Sequence, residues 1–265
     1  MIQIKKVESI EQLNKLKQQY IEQATAPLDG MWLLGFVPMA SHFGFYENQK
    51  LVGFFCINDE GYLLQFYLCS ENQDQAFFDS ILTSSPIEKI NGAFASTAEP
   101  QYLSLCLDNF SNFKVHTLMY QLNKNSEIIH ENNSILHVVK FEQLTEIVDF
   151  AKINVGASEE WLIGYYTNLI NRQEVYGFWQ NGQLLATGEC RGFIEYQTDY
   201  AELGVIVDES MRGKGFATST LKQLINISKT RRLKPILSTE KSNIAAQKAI
   251  SRAGFFADNR IVQYY

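Results

Sequence analysis

The stretch that most restricts this chain is Arg212-Gly213-Lys214-Gly215-Phe216-Ala217-Thr218. It lies between an apolar run, Tyr200–Val207, and an amphipathic run that reaches about Arg231. The first run reads as a strand and the second as a helix. Gly213 and Gly215 let the backbone turn sharply and come close to a ligand. The helix that follows offers free N–H groups and the positive end of its dipole. A strand, a glycine turn and a helix start in that order form an anion site suited to a pyrophosphate. Arg212 and Lys214 add charge there. The segment is not a Walker loop, because G-x-x-x-x-G-K-[ST] is absent, and a dinucleotide fingerprint fails at Thr218. Taken alone, a short R-G-x-G is a weak signal, and a tight turn into a helix with no ligand is its lesser reading.

The surrounding sequence fixes an element order. The spacing predicts a strand over Ile135–Phe141 and helices over Glu142–Val155 and Ser158–Ile170, with Ser158 as N-cap. Strands follow over Glu174–Trp179 and Gln183–Phe193, joined by an Asn181-Gly182 turn. After the glycine turn and its helix come a short strand, Ile236–Ser238, a helix over Asn243–Ala253 stopped by Gly254, and a final strand, Arg260–Tyr264. The first half repeats this order more faintly. It has a hairpin, Ser41–Tyr46 and Leu51–Asn58, and a strand over Tyr62–Leu68. A helix over Asp74–Leu82, a strand over Lys89–Ala95, a short helix over Pro100–Leu107 and a strand over Lys114–Leu122 complete it. Ala95-Ser96-Thr97 before a helix and Asn109-Phe110 parallels Leu237-Ser238-Thr239 before a helix and Gly254-Phe255. A tandem duplication accounts for this, with a polar linker running from Lys124 to Ser134. The expected domains are residues 1–126 and 134–265. After its third strand the first half carries Cys69-Ser70-Glu71-Asn72-Gln73-Asp74, with no glycine and two acids. That is a poor pyrophosphate cradle, so the first copy is expected to have lost the cofactor.

Composition narrows the class. The 265 residues are 46% hydrophobic and 20% charged, which is globular composition, and the net charge is −6. A phosphate backbone asks for clustered Lys and Arg, so nucleic acid is not an expected partner. Cys56, Cys69, Cys106 and Cys190 form no CxxC pair, and His42, His116, His130 and His137 are scattered. Buried free thiols and no metal site are expected. No apolar run approaches the ~18 residues of a membrane span, and the first residues lack an apolar signal core. A cytoplasmic location with no membrane partner is the expectation.

The motif A-like strand, the R-G-K-G-F-A turn and the downstream Asn243…Gly254-Phe255 together resemble the GNAT N-acetyltransferase superfamily over about residues 135–265. The tandem layout resembles its zwittermicin-resistance-type members, whose N-terminal copy is degenerate. The resemblance implies an α+β fold: a mixed, mostly antiparallel twisted sheet flanked by helices, present twice. It implies acetyl-CoA as acyl donor and an amine of a small molecule or amino-acid-like compound as acceptor. A homodimer stays open. Val205, Ile206 and Val207 would serve the pantetheine arm, and Arg212, Gly213, Lys214, Gly215, Phe216, Ala217 and Thr218 the pyrophosphate. Thr239, Asn243, Ala246 and Gln247 would line the facing side.

For the chemistry, Glu202 stands where some family members carry a general base, and Glu189 on the preceding strand is the second candidate. Many members carry a proton-donating Tyr seven residues after the Asn; here that place holds Ile250. Tyr264, Tyr265 and Tyr200 are the candidate substitutes, and a thiolate can also leave without a dedicated acid. Trp161, Tyr165 and Tyr166 fall on the helix that the family uses as an acceptor wall, although packing onto the sheet is the plainer role for Trp161. Trp32 and Phe36 are further aromatics without an assigned place. The rival function is an acyl-CoA-binding module without turnover, and a succinyl or longer acyl donor is the third reading.

Overall fold

The computed structural model describes residues 2–69, 74–83, 89–123 and 136–265. The linker 124–134, Ile135 and the segment 70–73 lie outside them. The chain divides into two compact units, the first of residues 1–119 and 259–265 and the second of residues 120–258. Residues 259–265, placed with the second half by sequence, therefore belong to the first unit.

In unit one the elements run β1 (Ile2–Lys6), α1 (Asn14–Glu22), a π-helical turn at Trp32–Phe36 leading into α2 (Val37–Met39), β2 (Ser41–Glu47), β3 (Lys50–Ile57), β4 (Tyr62–Leu68), α3 (Asp74–Thr83), β5 (Gly92–Ser96) and α4 (Pro100–Asn109). The strand β6 (Phe113–Leu122) follows. The β2–β3 hairpin closes on Asn48 and Gln49, both at positive φ (48° and 67°), as a two-residue turn demands. Strands β1 to β4 pair antiparallel in sequence order, and β4 pairs with β5 in parallel. Alternation along the strands splits the core. Phe55 and Phe66 face α3 and α4, packing with Phe77, Phe78 and Tyr102. Their neighbours Phe54 and Tyr67 face α1, packing with Leu13, Leu16 and Tyr20.

Unit two contains β7 (His137–Val138), α5 (Leu144–Val155), α6 (Glu159–Asn171), β8 (Val175–Gln180), β9 (Gln183–Gly192), β10 (Tyr200–Val207), α7 (Phe216–Thr230), β11 (Lys234–Glu240) and α8 (Ile244–Arg252), and β12 (Phe255–Tyr264) starts in it. Its strands lie in the order β11-β10-β9-β8-β7. Only the β10–β11 pair in that series is parallel. One face carries α7, whose Leu221, Leu224 and Ile225 are buried. Gly188 lets that helix approach, because a Cβ there would meet Thr220 and Leu224 at 3.0–3.2 Å. The other face carries α5 and α6, packed over Val175 and Ile206. No helix among the described residues is long and apolar enough to cross a membrane.

Three expectations change. The strand Ile135–Phe141 shrinks to two residues in its described part, because the Gln143 side chain accepts from Lys140 N–H at 2.9 Å and starts a turn. Ser158 is the N-cap of α6 by position, but its side chain makes no capping bond. Cys69 is exposed, whereas Cys56, Cys106 and Cys190 are buried and free. The strand β1 and the helix α1, unassigned from sequence, complete unit one.

Candidate active site

The site of unit two begins with a parting of strands. β10 pairs with β11 only at Tyr200↔Lys234, Ala201↔Pro235 and Glu202↔Ile236. β10 continues to Val207 and β11 to Glu240 without further pairs between them, while β10 stays paired to β9 as far as Val207↔Ala186. The edge of β10 from Leu203 to Val207 therefore faces a cleft. Val205, Ile206 and Val207 are half-buried along it.

The chain then turns through Asp208, whose carboxylate accepts from Ser210 N–H at 2.9 Å. Arg212 folds back, its Nε donating to the Val207 carbonyl at 3.3 Å and an Nη to Asn154 Oδ1 at 3.2 Å. Gly213 and Gly215 sit at φ of 76° and 89°, the region that penalises any side chain. A Cβ at either would meet nothing within 4 Å, so the space beside the turn is open to a ligand. Gly215 starts α7 with no side-chain cap, which leaves the first N–H groups for an incoming acceptor. Phe216 packs on Phe178 with ring centroids 5.5 Å apart and fixes the helix start. Across the cleft, Thr239 is half-buried near the end of β11. Asn243 caps α8 by accepting from Ala246 N–H at 3.0 Å, and Gln247 donates to the Lys241 carbonyl at 2.7 Å. The structure thus gathers the sequence-derived cofactor residues on two sides of one cleft. An uncapped helix start next to two open glycine positions is chemically suited to a diphosphate.

Behind the strands, on the face covered by α6, lies a buried ionic group. Glu202 and Arg191 are direct cross-strand partners, and so are Glu189 and Gly204. Gly204 makes room for the Glu189 carboxylate, which would stand 3.0 Å from a Cβ there. Arg191 Nη2 donates to Glu202 Oε2 at 2.9 Å, and Arg191 Nε lies 3.5 Å from Glu189 Oε2. Arg191 Nη1 also donates to Tyr165 Oη at 2.6 Å, and Tyr165 lies 2.6 Å from Glu189 Oε2. A guanidinium only donates, so the phenol must pass its proton toward Glu189. Burial first, and then the Glu189 charge, hold the Tyr165 phenol far above the ordinary tyrosine range. Two carboxylates, Glu189 and Glu202, thus approach one guanidinium. Trp161 stacks on Tyr165 at 4.7 Å and is 44% exposed, so it does not pack onto the sheet.

The remaining candidates lie elsewhere. Tyr264 is in the core of unit one, 1% exposed, beside Phe110 and Phe113, and burial pushes its phenol up to about 12. A buried phenol raised in this way is a poor proton donor. Tyr265 carries Lys114 at 5.9 Å in the same unit, and Tyr200 carries Lys234 at 5.2 Å. Ile250 is buried. Trp32 packs on Phe94 in unit one. Sequence reasoning missed Asn154, whose hold on Arg212 spans 58 residues and leaves no local signal.

Comparison with known proteins agrees with this geometry. Residues 9–123 match a model described as an acetyltransferase (GNAT) domain, and residues 141–255 match the acetyltransferase (GNAT) family. A solved GNAT-family acetyltransferase from Colwellia psychrerythraea is 51% identical over 99% of this chain and 98% of its own, with a TM-score of 0.95. A tandem GNAT protein from the clavulanic acid biosynthesis pathway shares the fold at a TM-score of 0.66 and 11% identity, covering 100% of this chain and 98% of its own. A GCN5-related N-acetyltransferase from Sphaerobacter thermophilus does so at 0.66 and 10%, covering 100% and 95%. No curated protein matches. The chain belongs to the GNAT acetyltransferase family and carries two GNAT domains in tandem.

Proposed function

We propose that unit two binds acetyl-CoA along the open edge of β10 and transfers the acetyl group to the amine of a small-molecule acceptor. The observation that carries this reading is the parting of β10 from β11 after Glu202, just ahead of the Gly213–Gly215 turn and the uncapped start of α7. Backbone groups of Val205, Ile206 and Val207 hold the pantetheine arm. N–H groups from Arg212 to Thr218 hold the pyrophosphate, with Lys214 adding charge. Thr239, Asn243, Ala246 and Gln247 close the facing side. When bound, acetyl-CoA supplies an activated thioester carbonyl.

Glu189 accepts the proton that the attacking amine must lose. Glu202, the first candidate from sequence, is instead engaged by Arg191 Nη2 at 2.9 Å. Its role is to hold Arg191, which in turn orients Tyr165 toward Glu189. The exposed face of Trp161, stacked on Tyr165, favours a cationic acceptor. The buried Ile250, in the place of the family's donor Tyr, favours a second reading in which unit two binds acyl-CoA without turnover.

Calorimetric titration with acetyl-CoA, followed by free-thiol release in the presence of an amine panel, separates the two. Binding with amine-dependent thiol release supports transfer. Binding without release for every amine supports the second reading, and no binding at millimolar acetyl-CoA removes both.

A further inference from the structure

Unit one repeats the parting of strands. β4 pairs with β5 only at Tyr62↔Gly92 and Leu63↔Ala93, then runs on to Leu68 unpaired on that side. A cavity of about 520 Å³ lies here, within the usual range of small-molecule pockets. Its lining comes from both faces of the sheet. Tyr20 and Tyr67 belong to the core under α1, and Phe66 and Tyr102 to the core under α4. The cavity therefore borders β4 where it has parted from β5, between the end of α1 and the start of α4. At the N-terminus of α4, where the matching helix of unit two starts with Asn243, stands Glu99.

Glu99 is 8% exposed and lines the cavity. One carboxyl oxygen accepts from Ser96 N–H at 2.6 Å, and the other has no hydrogen-bond partner among the described residues. Among the described residues no Lys or Arg lines the cavity. The nearby Asp74 is held by Gln101. A phosphate would find no counter-charge among the described lining residues, so the ligand class that suits unit two fits poorly here. An aromatic chamber with one uncompensated carboxyl at its wall is complementary to a cation on an apolar body.

We propose that the cavity beside β4 and the start of α4 in unit one binds a small organic ammonium ion, with the Glu99 carboxylate as counter-ion and Phe66, Tyr67 and Tyr102 around its apolar part. This assignment does not depend on acyl transfer by unit two. Burial holds the Glu99 carboxyl up at about 8 against the pull of the Ser96 N–H, so the group carries its proton at neutral pH until a cation arrives. The titratable groups packed around it stay neutral: Tyr102 and Cys106 on α4 are both pushed up by burial, as is Tyr67 on β4. Ammonium binding at pH 7 therefore expels the Glu99 proton.

The test is calorimetric titration of the full chain with benzylamine and with its uncharged counterpart benzyl alcohol, in buffers of different ionisation heat. Benzylamine should bind about tenfold or more tightly than benzyl alcohol and release close to one proton per site. Glu99→Gln, which keeps an acceptor for Ser96 N–H, should weaken benzylamine about 30-fold and abolish the proton release. Acetyl-CoA affinity should not change. No proton release from the wild-type chain, equal binding of alcohol and amine, or an affinity untouched by Glu99→Gln would overturn the assignment.

Discussion

Replacing Gly215 with Val separates a ligand-binding turn from a merely structural one. The residue sits at φ 89°, ψ −3°, where a Cβ costs about 1–2 kcal/mol. Nothing lies within 4 Å of that Cβ, so packing adds no further penalty. A loss of that size is a small fraction of domain stability, and the melting temperature should fall by about 2–8 °C while the protein stays folded. The ligand fares differently. The γ-methyl groups of Val would fill the space beside the first N–H groups of α7. Losing two hydrogen bonds to a charged phosphate, at about 1.5–3 kcal/mol each, weakens binding at least about 100-fold. Calorimetry with acetyl-CoA, paired with a thermal melt, reads both quantities. An unchanged affinity in a folded variant would refute the assignment of this turn to the pyrophosphate.

Other perturbations probe the rest of the account. Glu189→Gln should lower kcat by about 100-fold or more with acetyl-CoA affinity nearly unchanged, while Glu202→Gln should cost less; pH–rate profiles of the two variants check the order. Arg191→Met should destabilise the protein by about 3–5 kcal/mol in urea unfolding, because it removes the guanidinium that two buried carboxylates share. His42 is held down at about 4 by burial and by Lys17, whose Nζ lies 3.2 Å from its Nε2. The unfolded chain then binds the proton first, so its share of stability is present above pH 6.5 and is lost as pH falls toward 4. Glu99 acts in the opposite sense: raised to about 8, it favours the fold at low pH and loses that share as pH rises from about 4.5 through 8. Glu99→Gln should remove the alkaline loss in melts at pH 5 and pH 8.5.

The family-bearing part of the fold was legible because its signals are local. Gly213 and Gly215 are fixed by turn geometry, and Asn181-Gly182 and Asn48-Gln49 by hairpin geometry, all within a few residues of chain. The ionic group was only half legible. Glu189, Arg191 and Glu202 could be named from their strands, but their pairing follows from the β9–β10 register. Gly188 against α7 and Gly204 against Glu189 accommodate that register, and both are tertiary contacts. Tyr165 joins the group from a helix 24 residues before Glu189, so its part could not be read from spacing. Glu99 was invisible for the same reason. In sequence Ala98-Glu99-Pro100 is a helix start, and only the parting of β4 from β5 makes it the wall of a cavity. The signal for α1 was present in Leu13, Leu16 and Tyr20, which share one helix face and are all buried.

The most direct test of the central claim is amide hydrogen exchange with and without saturating acetyl-CoA. Acetyl-CoA should protect the amides of residues 213–218 and 205–207 in unit two, and leave those of β4 and the start of α4 in unit one unchanged. Binding without protection at 213–218, or protection confined to unit one, would contradict the account.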